Sequence, residues 1–292
     1  MVATTPVWLI TGSSSGLGLA LTRYAQSQGH TVVATSRNPS KTPDLVAEVE
    51  SHGGKWLRLD VTSPDSEIKA VVRQAESLFG RIDVVVNNAG YAVMGAVEDV
   101  PESETAAQME ANFSGPLRIM QAVLPDMRKR RSGVIMNVSS TQGLCPSPAC
   151  GVYAASKAAL EAVSESCSAE VAPFGIRILI VEPGAFRTNF SGANAARYVQ
   201  PSEDYAVAGH PVATRLAHVK TLGGAAIGDP AKAARVMLEA ATGSGEVGPL
   251  IKDARLLRLV IGPDSWKRVD EKVSELRRTA DLLKDVAAST SL

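Results

Sequence analysis

Aromatic side chains make up only 4% of this 292-residue chain, and cysteine occurs three times. Cys145, Cys150 and Cys167 are too few for a disulfide framework, and no Cys/His cluster has zinc spacing. His30, His52, His210 and His218 are scattered along the chain, so no metal site is expected. Net charge is missing as well. Thirty basic residues balance thirty acidic ones, which argues against a protein that grips nucleic acid through its phosphates. No apolar run approaches the ~20 residues of a membrane span, and Met1–Pro6 lacks the charged-then-apolar build of a secretion signal. Disordered, membrane, disulfide-scaffold and zinc-module readings fall away. A soluble, cytoplasmic globule is the expectation.

What the chain does contain is alternation. Val7–Thr11, Thr31–Ser36, Lys55–Asp60, Ile82–Asn87, Gly133–Ser139 and Ile176–Glu182 are short apolar runs rich in β-branched residues, the pattern of strands buried on both faces. Between them lie helical segments near 17–28, 41–51, 64–79, 103–130 and 152–173. Strict strand–helix alternation predicts an α/β fold: a doubly wound, Rossmann-like parallel sheet with helices on both faces. Gly80 and Gly175 stand where helices must stop before a strand. Residues 189–228 show no long period and are rich in small residues, so they are read as a lid over the site. A helix near Pro230–Ala241, a strand near Leu256–Ile261 and a helix over 264–286 complete the pattern. No linker or repeat divides the chain, and 1–292 is read as one domain.

Thr11–Gly18 reads T-G-S-S-S-G-L-G between the first strand and the first helix. Phosphate binding needs backbone N–H groups at a helix N-terminus with no side chain in the way, which Gly12, Gly16 and Gly18 permit. Ser14, Ser15 and Leu17 complete the turn. A glycine-rich turn also serves tight packing alone, so the motif gains weight from its place in the first strand–helix unit. At the end of the second strand a carboxylate would meet the 2′-hydroxyl of NAD, whereas a basic residue suits the 2′-phosphate of NADP. Ser36 and Arg37 stand there, with Lys41 downstream and no acid. NADP(H) is favoured.

Tyr153 and Lys157 in Y-A-A-S-K share one helix face. Bringing a phenol from ~10 to near neutrality takes roughly 4 kcal/mol. A buried lysine together with the charge of an oxidised nicotinamide could provide it. Ser140 ends the strand from Gly133 and reaches the same sheet edge, where open α/β sheets bind ligands.

Taken together, these segments resemble the short-chain dehydrogenase/reductase family. The likeness runs in order through T-G-S-S-S-G-L-G, Leu59–Val61, N-N-A-G at Asn87–Gly90, Asn112, N-V-S-S ending at Ser140, Y-A-A-S-K, and P-G-A-F-R-T at Pro183–Thr188. The resemblance implies that Tyr153 gives a proton to a carbonyl oxygen or takes one from an alcohol. It implies that Lys157 holds the nicotinamide ribose and lowers the tyrosine pKa, that Ser140 orients the substrate oxygen, and that Asn112 holds a water for proton relay. Asp60 and Val61 would touch adenine, Asn88, Ala89 and Gly90 would flank the adenosine, and Pro183, Gly184, Phe186 and Thr188 would lie by the nicotinamide. It further implies a homo-oligomer, dimer or tetramer, built on the Ala-rich helix carrying Ala154, Ala155, Ala158, Ala159 and Ala162.

Two positions depart from the family pattern. Ser15 stands where NADP-dependent members often carry a basic residue, and Leu144 stands where glycine or alanine is commoner. The implied function is NADPH-dependent oxidoreduction of a ketone or secondary alcohol on a mostly apolar small molecule. Tyr91, Val93, Met94, Leu144, Cys145, Cys150 and Phe186 would rim the substrate. A lyase or isomerase, or a dinucleotide-binding protein without chemistry, would share the same motifs.

Overall fold

The computed structural model describes residues 5–192, 195–253 and 256–291. Residues 1–4, part of the segment read for a signal, and 193–194, part of the expected lid, lie outside the described residues. The strands are β1 (Val7–Ile10), β2 (Thr31–Ser36), β3 (Lys55–Arg58), β4 (Val84–Asn87), β5 (Ala92–Met94), β6 (Gly133–Val138), β7 (Ile176–Pro183), β8 (Ala196–Tyr198) and β9 (Arg258–Ile261). The helices are α1 (Gly16–Ser27), α2 (Pro43–Ser51), α3 (Asp65–Phe79), α4 (Glu102–Met109), α5 (Gly115–Arg130), α6 (Thr141–Leu144), α7 (Gly151–Val171), α8 (Pro211–Ala225), α9 (Pro230–Thr242), α10 (Val247–Asp253) and α11 (Pro263–Ala288).

Seven strands pair in parallel in the order β3-β2-β1-β4-β6-β7-β9. The chain works outward from β1 to β3, returns to β4, and continues the other way. That reversal opens a crevice beyond the C-terminal ends of β1 and β4, where such sheets hold ligands. Within β1 the period of two divides the core: Trp8 and Ile10 join Leu21, Ala25 and Met237 on the layer of α1 and α9. Leu9 faces the other way into Ile68, Val72, Ile119 and Val123, on the layer of α3 and α5. The doubly wound α/β sheet expected from the alternation is what forms.

Helix ends follow the glycines. Gly80 stops α3 at φ +80°, and Gly175 stops the turn after α7 at φ +69°, both left-handed conformations that cost a side chain strain. Elsewhere the structure departs from expectation. The helical run read as 103–130 is broken by a π-turn at 110–114 between α4 and α5. Behind it α5 approaches the loop after β3 so closely that a Cβ on Gly115 would sit 2.5 Å from the Val61 carbonyl. The stretch 189–228, read as having no long period, contains α8, capped by His210, whose Nδ1 accepts from Val212 N at 3.2 Å. Its buried Val212, Leu216 and Val219 do stand at helical spacing, but the interleaved Ala213 and Ala217 dilute the contrast. The strands β5 and β8, three residues each, pair in a separate parallel two-stranded sheet and were too short to read.

At the far edge Arg258 of β9 joins three carboxylates. Its guanidinium lies 2.8 Å from Glu161 and also pairs with Glu182 and Glu165. Glu182 is fully buried, and burial first, then Glu161, push its carboxyl above the usual range while Arg258 pulls it back. Arg258→Met should therefore destabilise the fold, toward the lower end of the ~3–5 kcal/mol typical of a broken buried pair because Arg258 is partly exposed. A carboxyl raised in the folded state favours folding while protonated, so the deficit should shrink at about pH 5 and be full at about pH 8. Urea unfolding at both pH values checks this, and an equal loss at both would contradict it.

Candidate functional site

The glycine turn is held from behind by the end of β4. Thr11 Oγ1 donates to the Val86 carbonyl at 3.2 Å and accepts from the backbone N–H groups of Asn88 and Ala89, each at 3.0 Å. The Asn88 amide donates to the Thr11 carbonyl at 2.9 Å and to the Gly12 carbonyl at 3.3 Å. Asn88 thus points under the turn and staples it. Gly12 and Gly16 take φ of +70° and +57°, and a Cβ on Gly18 would lie 2.4 Å from both the Asn88 amide and the Gly12 carbonyl. Ser15 is the N-cap of α1 without a side-chain cap bond, so N–H groups of the first turn face outward unclaimed by it. Ser14 is half-buried, and Leu17 packs on the core. These residues fit a pyrophosphate: a cradle that a side chain would fill, with donors at a helix N-terminus.

Arg37 is exposed at the end of β2. Ser36 is buried and its Oγ accepts from Trp56 Nε1 at 3.0 Å, which leaves its O–H to donate. Opposite Ser36 in register stands Arg58, whose Nε donates to the Arg37 carbonyl at 3.3 Å. The sequence reading missed Arg58. Its signal is the pairing of β2 with β3, which no single strand displays. Asp60 turns one oxygen onto Thr62, accepting from its N–H at 3.0 Å and its hydroxyl at 2.7 Å. Asp60 therefore caps a turn, while Val61 is buried.

Ser140, Tyr153, Lys157 and Asn112 come together where β6 ends against α7. Ser140 caps α6, accepting from Gln142 N at 3.2 Å, and its side chain lies near enough to the Tyr153 phenol to pull its pKa down. Tyr153 is buried, and that burial pushes its phenol up to about 12, with Ser140 working against it. Lys157 is buried too; burial draws its ammonium down to about 8, opposed by the Glu161 charge one turn on. Its Nζ donates to the Val138 carbonyl at 2.7 Å and lies 5.9 Å from the Tyr153 ring centre. Among the protein's own groups, then, desolvation outweighs any lowering of the phenol by Lys157. Asn112 sits in the π-turn with its side chain engaged, donating to the Tyr91 carbonyl at 2.9 Å and Ser156 Oγ at 3.1 Å, and accepting from Tyr91 N at 3.2 Å. Gly90 fits between these groups, since a Cβ there would be 2.9 Å from Asn112 Oδ1 and 3.6 Å from Lys157 Nζ.

Beyond β7 the segment from Pro183 folds back over the glycine turn. Gly184 bonds through its N–H to the Ile261 carbonyl at 2.9 Å, and Ala185 N donates to Asp264 at 2.8 Å. Phe186 pairs with Gly228 and packs on the core, and Thr188 comes within 3.6 Å of the place a Gly16 Cβ would take. Phe190, another residue the sequence reading missed, sets its ring 6.0 Å from that of Tyr153. Above them α8 lays Val212, Leu216 and Val219 in one apolar cluster with Met94, Cys150 and Tyr153. Val93 is buried, and its N–H donates to Gln108. Cys145 is buried with burial raising its thiol, so it is no ready nucleophile.

A family model described as short chain dehydrogenase matches residues 6–198. An oxidoreductase named claN from Passalora fulva is 46% identical over 187 residues, which cover 64% of this chain and 84% of that protein. The oxidoreductase BOA17 of Botryotinia fuckeliana is 38% identical over 261 residues, 89% of this chain and 90% of that one. The crystal structure of a short-chain dehydrogenase from Streptomyces avermitilis aligns with a TM-score of 0.86 and 37% identity over 98% of this chain and all of that one.

The packing of the glycine turn is open to a direct check. Gly18→Ala must displace either Asn88 or the Gly12 carbonyl, whereas Gly29, at φ +78°, has nothing within 4 Å of an added Cβ. Gly29→Ala should cost about 1 kcal/mol of backbone strain. Gly18→Ala should cost more, in the ~1–3 kcal/mol range of overpacking. Thermal unfolding of the two variants gives the order, and a milder effect at Gly18 would contradict the close approach.

Proposed function

The chain belongs to the short-chain dehydrogenase/reductase family of NAD(P)-dependent oxidoreductases, and on that premise we propose that it interconverts a ketone and a secondary alcohol on a mostly apolar small molecule, using NADP(H). The observation that carries this reading is the buried Tyr153 phenol, set near Ser140 and beside buried Lys157 and roofed by apolar side chains. NADP(H), when bound, supplies or accepts the hydride.

Tyr153, with its phenol at about 12, holds its proton at neutral pH and enters reduction as the acid. Ser140 orients the substrate oxygen and opposes the negative charge that builds on it. Lys157 keeps an ammonium close to the phenol and reaches toward a ribose. Asn112, its side chain spent on Tyr91 and Ser156, acts through its main-chain groups in the π-turn. Gly12, Ser14, Ser15, Gly16, Leu17 and Gly18 hold the pyrophosphate. Asp60, Val61 and Asn88–Gly90 border the adenosine, and Pro183, Gly184, Phe186 and Thr188 the nicotinamide. The stretch 189–228, with α8, covers the substrate as a lid. Buried free cysteines suit a reducing cytoplasm, and the exposed Ala155, Ala158 and Ala162 suit close helix contact in a homo-oligomer. No helix among the described residues is long and apolar enough to cross a membrane.

Tyr153→Phe should keep fold and cofactor affinity while lowering the turnover rate by ~100–10,000-fold, the usual worth of a positioned acid. Lys157→Ala should lower the rate and weaken NADPH binding as well. Turnover across a ketone and alcohol panel, beside fluorescence titration of NADPH, measures both. Near-normal turnover of Tyr153→Phe would contradict the role given to the tyrosine, and no turnover of any panel member by the unaltered chain would move the lyase or non-catalytic reading ahead.

Arg37 and Arg58 together support the preference for a 2′-phosphate. A charge-assisted hydrogen bond is worth about 1.5–3 kcal/mol, so Arg37→Ala should weaken NADPH binding roughly 10- to 100-fold and leave NADH almost untouched. Adding Arg58→Ala should narrow the remaining gap between the two cofactors. Equal affinity of the unaltered chain for both would sink the preference.

A further inference from the structure

The last helix leaves the body of the protein. Ser265 at the start of α11 is buried, and Arg268 grips the loop before α7, reaching the Cys145 carbonyl and, at 2.9 Å, Ser147 Oγ. From 273 to 291 every residue is exposed. A helix in water draws most of its stability from packing an apolar face, and α11 has such a face, partly covered by its own chain at Val269 and open from Val273 onward. Trp266, Val273, Leu276 and Leu283 are 64%, 55%, 50% and 51% exposed.

The spacing of that face says what covers it. Trp266, Val269, Val273, Leu276, Ala280 and Leu283 are separated alternately by three and four residues, with the exposed Leu282 and Val286 lying off that line. A helix lying on its own globule shows a broad stripe of period 3.6, whereas a narrow seam of period 3.5 belongs to helices that wind about each other. The polar face carries acidic and basic residues in equal number, unlike the basic face that an anionic membrane attracts. The charges beside the seam choose an orientation. Side by side in parallel, two copies would set Lys272 against the partner's Arg277, a repulsion repeated by symmetry. Head to tail, with Val273 opposite the partner's Leu276, Trp266 meets Leu283 and Val269 meets Ala280. Asp270 then faces the partner's Arg277, twice.

We propose that α11 pairs with α11 of a second copy of this chain as an antiparallel two-helix coiled coil. This contact lies apart from the exposed face of α7 and does not depend on the enzymatic reading. It also touches the site, because the root of α11 holds its walls. Asp264 accepts from Ala185 N at 2.8 Å, and Ser265 bonds Thr141 at 2.6 Å and the Glu182 carbonyl at 2.9 Å.

Sedimentation equilibrium of the full chain tests the pairing. Leu276→Asp should halve the mass of the assembly without lowering the melting temperature of the body. Arg277→Asp turns two attractions into repulsions and should raise the dissociation constant of the same step roughly tenfold. The double exchange Asp270→Arg/Arg277→Asp should restore it. An unchanged mass for Leu276→Asp would overturn the proposal. So would tighter association of Arg277→Asp, the sign a parallel pair gives, or recruitment of the unaltered monomer to phosphatidylserine vesicles.

Discussion

Removing the Lys157 ammonium from water is the constraint on which the C-terminal edge of the sheet depends. A buried ammonium is costly unless acceptors and opposite charge are fixed around it. Here the acceptor is the Val138 carbonyl at the end of β6, and the charge is Glu161, one turn further along α7. Glu161 is itself fixed by Ser139, which donates to it at 2.5 Å, and by Arg258. Arg258 in turn ties β9 to β7 through Glu182. The ammonium thus stays put because one helix and three strands are locked around it, and the same locking sets Tyr153 beside Ser140.

Burial acts in opposite senses on the two side chains. It favours the neutral form of each, so it raises the phenol and lowers the ammonium. The pair is drawn away from an ion pair and toward a protonated acid beside a cation of reduced pKa. The glycine turn proposed to cradle a phosphate works by other means. It offers backbone donors and cleared space, and its shape is set by Thr11 and Asn88 rather than by charge. In the proposed reaction the two meet at Lys157, which lies beside the phenol and would reach the ribose, and Gly90 fits between it and Asn112.

Much of this was legible in the sequence because the signals are local. Buried parallel strands announce themselves as apolar runs, and Gly80 and Gly175 end their helices in conformations that favour glycine. The Thr11–Gly18 turn and the Tyr153–Lys157 spacing are likewise short-range. What escaped depends on contacts between distant segments. Arg58 matters through its register with Ser36, and Phe190 through a loop folding back on Tyr153. β5 and β8 are three residues each and define one another only by pairing. The π-turn around Asn112 has no periodic signature, and α8 hides its Val212–Leu216–Val219 stripe among small residues. Asn88 and Asp60 were read as bordering the adenosine, and their side chains bond the protein's own turns.

In the proposed reaction a hydride passes between a nicotinamide and a carbon at the Tyr153–Ser140 end of the crevice. The most direct measurement is isotope tracing: the purified chain with NADPH deuterated at the transferable nicotinamide hydrogen, and aliphatic, aromatic and polycyclic ketones as probes. The account predicts an alcohol carrying one deuterium on its carbinol carbon, formed by the unaltered chain and strongly reduced in Tyr153→Phe. Conversion of a probe with all deuterium retained on the cofactor would contradict it.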